Sequence, residues 1–266
     1  MTLRIPLLAL MLSTAALAEP SQLDLGIGLS AISLPDYRGS DEQRSYLLPV
    51  PYISYRSDKI EISRAGLRGK LFDSERAELD LSLNITPPSH SKDNAARAGM
   101  PRLSPTLEAG PSLKYRLNAQ DAAVRWDLVL PLRAAFVVDD WRTRYIGTVL
   151  NPKLAAEWRA GEDEVWRLAW SGGALVGSRK QHEYFYGVDA EFARPDRPAY
   201  QAHSGYAGLQ TTFSASREIG DYWLGVFLRA DQLDGARFAA SPLLKQKTTL
   251  SGGIALAWRF YRDTGL

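Results

Sequence analysis

Strict alternation between apolar and polar side chains recurs along almost the whole chain of 266 residues. From Leu23 to Ala31, for example, leucine, isoleucine and alanine alternate with aspartate, glycine and serine. Because successive side chains of a strand point to opposite faces, a period of two predicts strands with one apolar and one polar face. Further alternating segments begin at Ala77, Val124, Trp166, Tyr222 and Leu250.

The length of these segments favours a membrane protein. Each runs for about 10 to 13 residues, whereas strands of soluble sandwiches usually have ~5 to 6 and a membrane-crossing strand needs ~9 to 11. In hydrocarbon every backbone N–H and C=O must be paired internally, and a closed barrel is the sheet that leaves no edge. We therefore predict an all-β fold, a single antiparallel transmembrane β-barrel of the outer-membrane type, with its apolar face towards lipid.

The connections between the segments predict the strand count. Outer-membrane barrels keep short turns on the periplasmic side and long loops outside, so the two kinds must alternate. They do so here if the chain also reverses at Arg64-Ala65-Gly66, where glycine permits a tight turn. This gives about twelve strands, with ten as the alternative. The predicted long loops are 35–45, 87–102, 136–143, 178–204 and 232–247.

The first 18 residues predict export of the chain. Arg4 precedes an apolar stretch from Ile5 to Leu12, and small residues end at Ala16-Leu17-Ala18. This is the pattern of a secretory signal peptide cleaved after about Ala18. We expect residues 1–18 to be removed and residues 19–266 to form the barrel in the outer membrane. The chain has no cysteine, so its stability must come from backbone pairing and packing.

Outward-facing aromatic side chains cluster near the predicted periplasmic ends of the strands. Trp and Tyr prefer the headgroup level of a membrane, where the ring is half dry and the polar tip is half wet. We predict that they form a periplasmic girdle against outer-membrane lipid. Its members are Tyr55, Tyr115, Trp126, Trp158, Trp166, Tyr222, Trp258 and Phe260.

The polar face of the strands predicts an ionic lumen in which basic residues outnumber acidic ones. Rings of charge select ions, so one hypothesis is a narrow pore for small solutes with a mild preference for anions. The interpretation we favour is that the charges pair across neighbouring strands and fill a narrow barrel. The candidates are Asp80, Glu108, Lys114, Arg116, Arg125, Asp127, Arg133, Lys153, Glu157, Arg167, Arg229 and Arg259.

The residues that could carry catalysis are sparse. His90, His182 and His203 all fall in predicted loops, where we expect exposed polar side chains. A hydrolase made from His203, Ser204 and Asp196 or Glu183 would need a serine–histidine–carboxylate geometry that adjacency in a loop does not provide. No histidine pair has metal-ligand spacing, and no calcium or phosphate-binding motif is present. We expect no catalytic, cofactor or metal site, and a net charge of +2 predicts no nucleic-acid partner.

Four segments together resemble the MipA/OmpV family of MltA-interacting proteins. They are Pro35-Asp36-Tyr37-Arg38-Gly39-Ser40, the run from Tyr46 to Tyr52, Tyr184-Phe185-Tyr186-Gly187-Val188, and the run from Phe238 to Leu243. The aromatic segment at 184–188 could contact a partner or plug the barrel mouth. The chain departs from the usual pattern of such barrels because Tyr261 to Leu266 continue past Phe260, where an aromatic strand end is expected.

The resemblance implies a non-enzymatic scaffold in the outer membrane. It would hold a murein hydrolase, a lytic transglycosylase, together with a murein synthase, a penicillin-binding protein. A small-solute channel is the alternative, and a lipid-modifying barrel enzyme is a third hypothesis. A scaffold would have to use the periplasmic turns, which are only a few residues long.

Overall fold

The computed structural model describes residues 22–56, 60–63, 66–69, 72–74, 76–89, 94–119, 121–139, 142–161 and 166–263. The predicted signal peptide at 1–18 and His90 lie outside these ranges. Within them, no helix is both long and apolar enough to cross a membrane.

Strands make up most of the described chain, and every pairing between them is antiparallel. Within the described ranges, the connections contain one α-helix, α1 (Arg179–Tyr186), and two short 3-10 helices. The strands are β1 (Gln22–Pro35), β2 (Gln43–Arg56), β3 (Ile60–Ser63), β4 (Gly66–Gly69), β5 (Phe72–Asp73), β6 (Ala77–Thr86), β7 (Thr106–Arg116), β8 (Val124–Asp139), β9 (Arg142–Leu150), β10 (Lys153–Ala160), β11 (Trp166–Gly177), β12 (Gly205–Ile219), β13 (Tyr222–Gln232) and β14 (Thr248–Arg262).

Two pairs of these segments are interrupted strands. Both β9 and β10 lie between β8 and β11, separated by Asn151 and Pro152. Proline has no N–H to donate, which breaks the ladder at this point. β4 and β5 are likewise separated by only two residues. The 14 segments of the described chain therefore form twelve strands, the number predicted.

The two ends of the sheet meet. Its order is β4-β3-β2-β1-β14-β13-β12-β11-β10-β8-β7-β6-β5, so the first and last members are the two halves of one interrupted strand. Neighbouring β3 and β4 pair up to Ser63 and Gly66, which places the chain reversal where the sequence predicts it, although residues 64 and 65 lie outside the described ranges. The first and last long strands, β1 and β14, are paired from Asp24 to Ser33 on β1.

The faces of the sheet have the inverted polarity of a membrane barrel. On β14, Leu250, Ile254 and Leu256 are 52%, 50% and 51% exposed, whereas the intervening Thr249 and Ser251 are almost completely buried. Apolar side chains that a soluble protein would bury therefore cover the outside. The strand continues through Arg262, so Tyr261 and Arg262 belong to the barrel wall.

One predicted loop is wrong. Residues 136–143 were expected to form a long connection, but β8 continues to Asp139 and β9 begins at Arg142. The ladder extends because Phe136 pairs with Tyr145, and their rings are 5.8 Å apart. Aromatic and β-branched side chains suit a pleated surface, and here they lengthen a hairpin instead of ending it.

Replacing Ile254 by arginine tests the lipid-facing assignment. Ile254 lies midway along β14 on the exposed apolar face, so a charge there should cost about 2–4 kcal/mol in a bilayer and only about 0–1 near the interface. Phe260→Arg, close to the strand end, is the matched control. Urea-dependent unfolding in lipid vesicles should separate the two variants, and equal stability of both would contradict the assignment.

Candidate functional site

The connections give the barrel two different ends. We call the end formed by residues 36–42, 87–105, 178–204 and 233–247 the loop end. The short-turn end is formed by 74–76, 117–123, 161–165 and 220–221 together with 57–59, and some of these turn residues lie outside the described ranges. Each end carries one of the two features that define the candidate site, a packed cap and an open chamber.

Apolar side chains from these four loop-end connections pack into one buried cluster, which we call the cap. Helix α1 supplies Tyr186, and its first turn is capped by Ser178, whose hydroxyl accepts from the Gln181 N–H. The ring of Tyr186 stacks on Phe238 with centroids 3.6 Å apart. The large apolar side chains that the connections contribute are Tyr37, Met100, Leu103, Tyr186, Val188, Leu233, Phe238 and Leu243.

Hydrogen bonds fix the loops of the cap to one another. The Tyr37 hydroxyl donates to the Leu243 carbonyl at 2.8 Å, and the Ser241 hydroxyl donates to the Tyr186 carbonyl at 2.7 Å. The Tyr186 hydroxyl donates to the Arg38 carbonyl at 2.8 Å. Burial of this phenol raises its pKa far above the ordinary value, so it stays neutral and remains a donor.

An arginine ties the cap to the barrel wall below it. Arg38 Nε lies 2.8 Å from Oδ1 of Asp231, a completely buried carboxylate on β13. Gln210 also donates to this oxygen at 2.9 Å, and Arg229 lies 3.3 Å from Oδ2. A buried carboxylate is stable only when cations and donors surround it, so Asp231 holds the cap over the lumen.

His182 contradicts the expectation of an exposed loop residue. Its side chain is completely buried in the cap, with the ring edge-on to Phe238 at 4.9 Å. Nδ1 lies 2.6 Å from the His203 carbonyl oxygen and donates to it, while Nε2 is buried without a hydrogen-bond partner among the described residues. Burial lowers the pKa of His182, and the nearby Arg38 lowers it further.

The side chains of the imagined hydrolase are not brought together. His203 and Ser204 are both exposed, and only the backbone carbonyl of His203 is engaged. Glu183 accepts from the Ala202 N–H, and Asp196 lies beside Arg194. Over the ranges that the structure describes, no group of three or more potential metal-ligating side chains could hold a metal ion.

The predicted lumen residues lie on the inner face, where most of them form ion pairs. Asp127 on β8 is 2% exposed, and it lies 3.5 Å from both Lys114 Nζ and Arg116 Nε and 2.9 Å from Arg125 Nε. Arg125 also reaches Glu157 at 3.3 Å. This network spans β7, β8 and β10, so the charges hold neighbouring strands together across the wall.

Further pairs follow the wall around the barrel. Arg133 lies 2.9 Å from Glu108, and Arg259 lies 2.6 Å from Glu218. Lys153 shares the inner face of β10 with Glu157. Asp231 is not among the lumen residues predicted from the sequence. Its position two residues after Arg229 on the same strand nevertheless puts it on the inner face.

A chamber of about 890 Å³ occupies the lumen near the short-turn end. Its lining includes the turn from Asp121 to Ala123, so it reaches that end of the barrel. Its lining includes the predicted lumen residues Arg125, Glu157 and Arg167, together with Arg159 near the end of β10. The serines and aromatic residues on its walls include Ser214, Ser216, Trp223 and Phe227.

The eight aromatic residues of the predicted girdle all lie in the parts of their strands nearest the short-turn end. Trp126, Tyr222, Trp258 and Phe260 are 36% to 56% exposed on the outer face. Trp158, Trp166 and Tyr55 are half-buried, and Tyr115 is exposed. Their contact with lipid headgroups stays a prediction.

A family model described as MltA-interacting protein MipA matches residues 27–260. The chain belongs to the MipA family. The match contains all four segments on which the resemblance rests, and three of them, at 35–40, 184–188 and 238–243, meet in the cap. Three of the four segments that carry the resemblance therefore lie where distant loops of this MipA-family barrel pack together.

Solved structures of outer-membrane proteins are similar to this chain in part. An outer-membrane channel from Pseudomonas putida F1 is 12% identical, with 92% of this chain and 97% of that chain covered and a TM-score of 0.43. A bacterial polysaccharide outer-membrane secretin is 9% identical, with 92% and 100% covered and a TM-score of 0.42. No curated protein matches the chain.

Truncating Phe238 should open the cap of this MipA-family barrel. Removing a fully buried phenylalanine costs about 3–5 kcal/mol, and here the loss falls on contacts between loops. Phe238→Ala should make α1 sensitive to added protease while the barrel keeps its resistance to detergent. Leu47→Ala, which truncates an exposed apolar residue near the loop end of β2, is the control. Unchanged protection of α1 in Phe238→Ala would contradict the packing.

The cap should also loosen in acid because of His182. The pKa of His182 is lowered in the packed cap, so in acid the loosened state binds a proton that the packed state does not bind. The stability of the packed cap is therefore lost as pH falls below the ordinary histidine pKa of about 6.5. The protection factors of the α1 amides, which correct hydrogen exchange for the pH dependence of the intrinsic rate, should be lower at pH 5 than at pH 7.5. His182→Gln should lose this dependence and His203→Gln should keep it; equal wild-type protection factors at both pH values would refute the role of His182.

Proposed function

We propose that this barrel is a non-enzymatic scaffold of the outer membrane that binds a murein hydrolase of the MltA type through its short-turn end. The description of the family, MltA-interacting protein, supports the partner class. Short turns of outer-membrane barrels face the periplasm, where murein lies. A murein synthase bound at the same end would complete the scaffold that the sequence resemblance implies.

The cap is the observation that carries this proposal. Its aromatic segments, among them Tyr184 to Val188, pack against other loops of the same chain. A surface whose apolar side chains are already buried offers little to a protein partner, because binding gains its energy from newly buried anchors. The short-turn end is the opposite case, since Asp121, Ala122 and Asp221 are exposed there beside an open chamber.

The absence of catalytic chemistry is part of the same proposal. Ser204 and His203 are exposed, and no hydrogen bond links their side chains in the described ranges. A nucleophilic serine needs a base within hydrogen-bond reach. The lipid-modifying enzyme therefore has no support from the loop that suggested it.

A narrow channel for small solutes is the second candidate, and the chamber favours it. A volume of about 890 Å³ lined by arginines suits small anions. Against conduction stand the packed cap at the loop end and the paired charges on the wall. Planar-bilayer recordings separate the two functions: steady conductance from the pure wild-type protein would favour the channel, and a silent protein would favour the scaffold.

Reversing charge at the turns tests the scaffold. The purified barrel in nanodiscs should retain a lytic transglycosylase of the MltA type from the same cells. Asp121→Lys combined with Asp221→Lys should weaken retention about tenfold or more, because both exposed carboxylates lie on the docking end. Glu191→Lys, an exposed reversal at the loop end, should leave it unchanged. Equal loss in both variants, or no retention by the wild type, would defeat the proposal.

A further inference from the structure

Two arginines of the chamber wall lie directly opposite each other on paired strands. Arg159 on β10 is the register partner of Arg167 on β11, so both side chains project from the same face. Both line the chamber. Like charges directly opposite each other on antiparallel strands repel and destabilise the pairing of the strands. The rest of the wall avoids this destabilisation.

Several other cations of the lumen have carboxylate partners on the wall. Arg125 has both Asp127 and Glu157 as partners, and Arg133 has Glu108. In the part of the chain that the structure describes, no carboxylate lies within ion-pair distance of Arg159 or Arg167. Both side chains are exposed to the water of the chamber.

The surroundings of the pair suit an anion. Arg167 is the register partner of Ser216 on β12, and Ser214 lies one layer further in, so hydroxyl donors stand beside the guanidinium groups. The lining contains two acidic side chains, Asp121 and Glu157, and Glu157 is already paired with a third arginine of the wall at 3.3 Å. Basic side chains therefore outnumber acidic ones in the lining, and the two arginines face an open cavity.

We propose that Arg159 and Arg167 form a binding site for the oxyanion of a small solute, a carboxylate or a phosphate, that enters the chamber from the short-turn end. A guanidinium group offers parallel N–H donors that match two oxygens of either group. Bound between the pair, the anion removes the repulsion across β10 and β11. This site is independent of whether a protein docks at the same end.

Titration of the intact barrel in nanodiscs with inorganic phosphate, and separately with succinate, tests the site. Saturable binding of either probe is expected, and the probe that binds more tightly identifies the source of the oxyanion. Arg159→Gln combined with Arg167→Gln should weaken that binding about tenfold or more. Arg142→Gln combined with Arg179→Gln removes two exposed charges at the loop end and should leave it unchanged.

A stability measurement distinguishes a binding site from a structural pair. Without ligand, the Arg159→Gln and Arg167→Gln double variant should unfold at a higher urea concentration than the wild type, because it lacks the repulsion. Saturating probe should raise the wild-type midpoint and leave that of the variant unchanged. No saturable binding by the wild type, or equal binding by the double variant, would overturn the proposal.

The turn that joins the two strands provides a last control. Glu162, Asp163 and Glu164 lie in this turn, outside the described residues, and their carboxylates are alternative partners for the arginines. Replacing them by Gln, Asn and Gln should leave probe binding intact. Binding that appears only after this replacement would show that the turn fills the site, and the proposal would fall.

Discussion

The whole structure depends on pairing backbone hydrogen-bonding groups where no water is available. A strand edge left open in hydrocarbon would expose a row of unsatisfied N–H and C=O groups, each costing several kcal/mol. Pairing β1 with β14 removes the edge at one side, and the interrupted strand formed by β4 and β5 joins the other. The inverted faces follow from this closure, because the outside must then match lipid and the inside must hold whatever polar groups remain.

Because the sheet is closed, many charged side chains share the lumen, and two buried carboxylates form ion pairs with several of the cations. Asp127 gathers cations from β7 and β8, and Asp231 gathers Arg38 and Arg229. The Asp231 cluster includes Arg38 of the cap, so ion pairs connect the packed loops to the charged wall of the barrel. What this arrangement leaves is an asymmetric barrel, closed by apolar packing at one end and hollow and basic at the other.

Much of the wall could be predicted from sequence, because alternation, turn residues and strand length are local properties. The inward direction of Lys114 and Asp127 follows from the period of two, and the reversal before Gly66 follows from the alternation of short and long connections. The cap could not be predicted in the same way, since Tyr37 and Leu243 meet although they are 206 residues apart in the chain. His182 was misassigned for that reason: its burial depends on Phe238 and on the His203 carbonyl, and neither contact leaves a periodic signal.

The most direct test of closure is a disulfide cross-link between the first and last long strands. Because the chain has no native cysteine, introduced cysteines have no competing partner within it. Ala31 on β1 is the register partner of Ile254 on β14, and both side chains lie on the outer face. Cysteines at these two positions should form an intramolecular disulfide in the membrane-embedded protein. Cysteines at Ala31 and Ala255 should not, because a shift of one residue puts the second side chain inside. Failure of the first pair, or equal cross-linking of both, would contradict a barrel closed through β1 and β14.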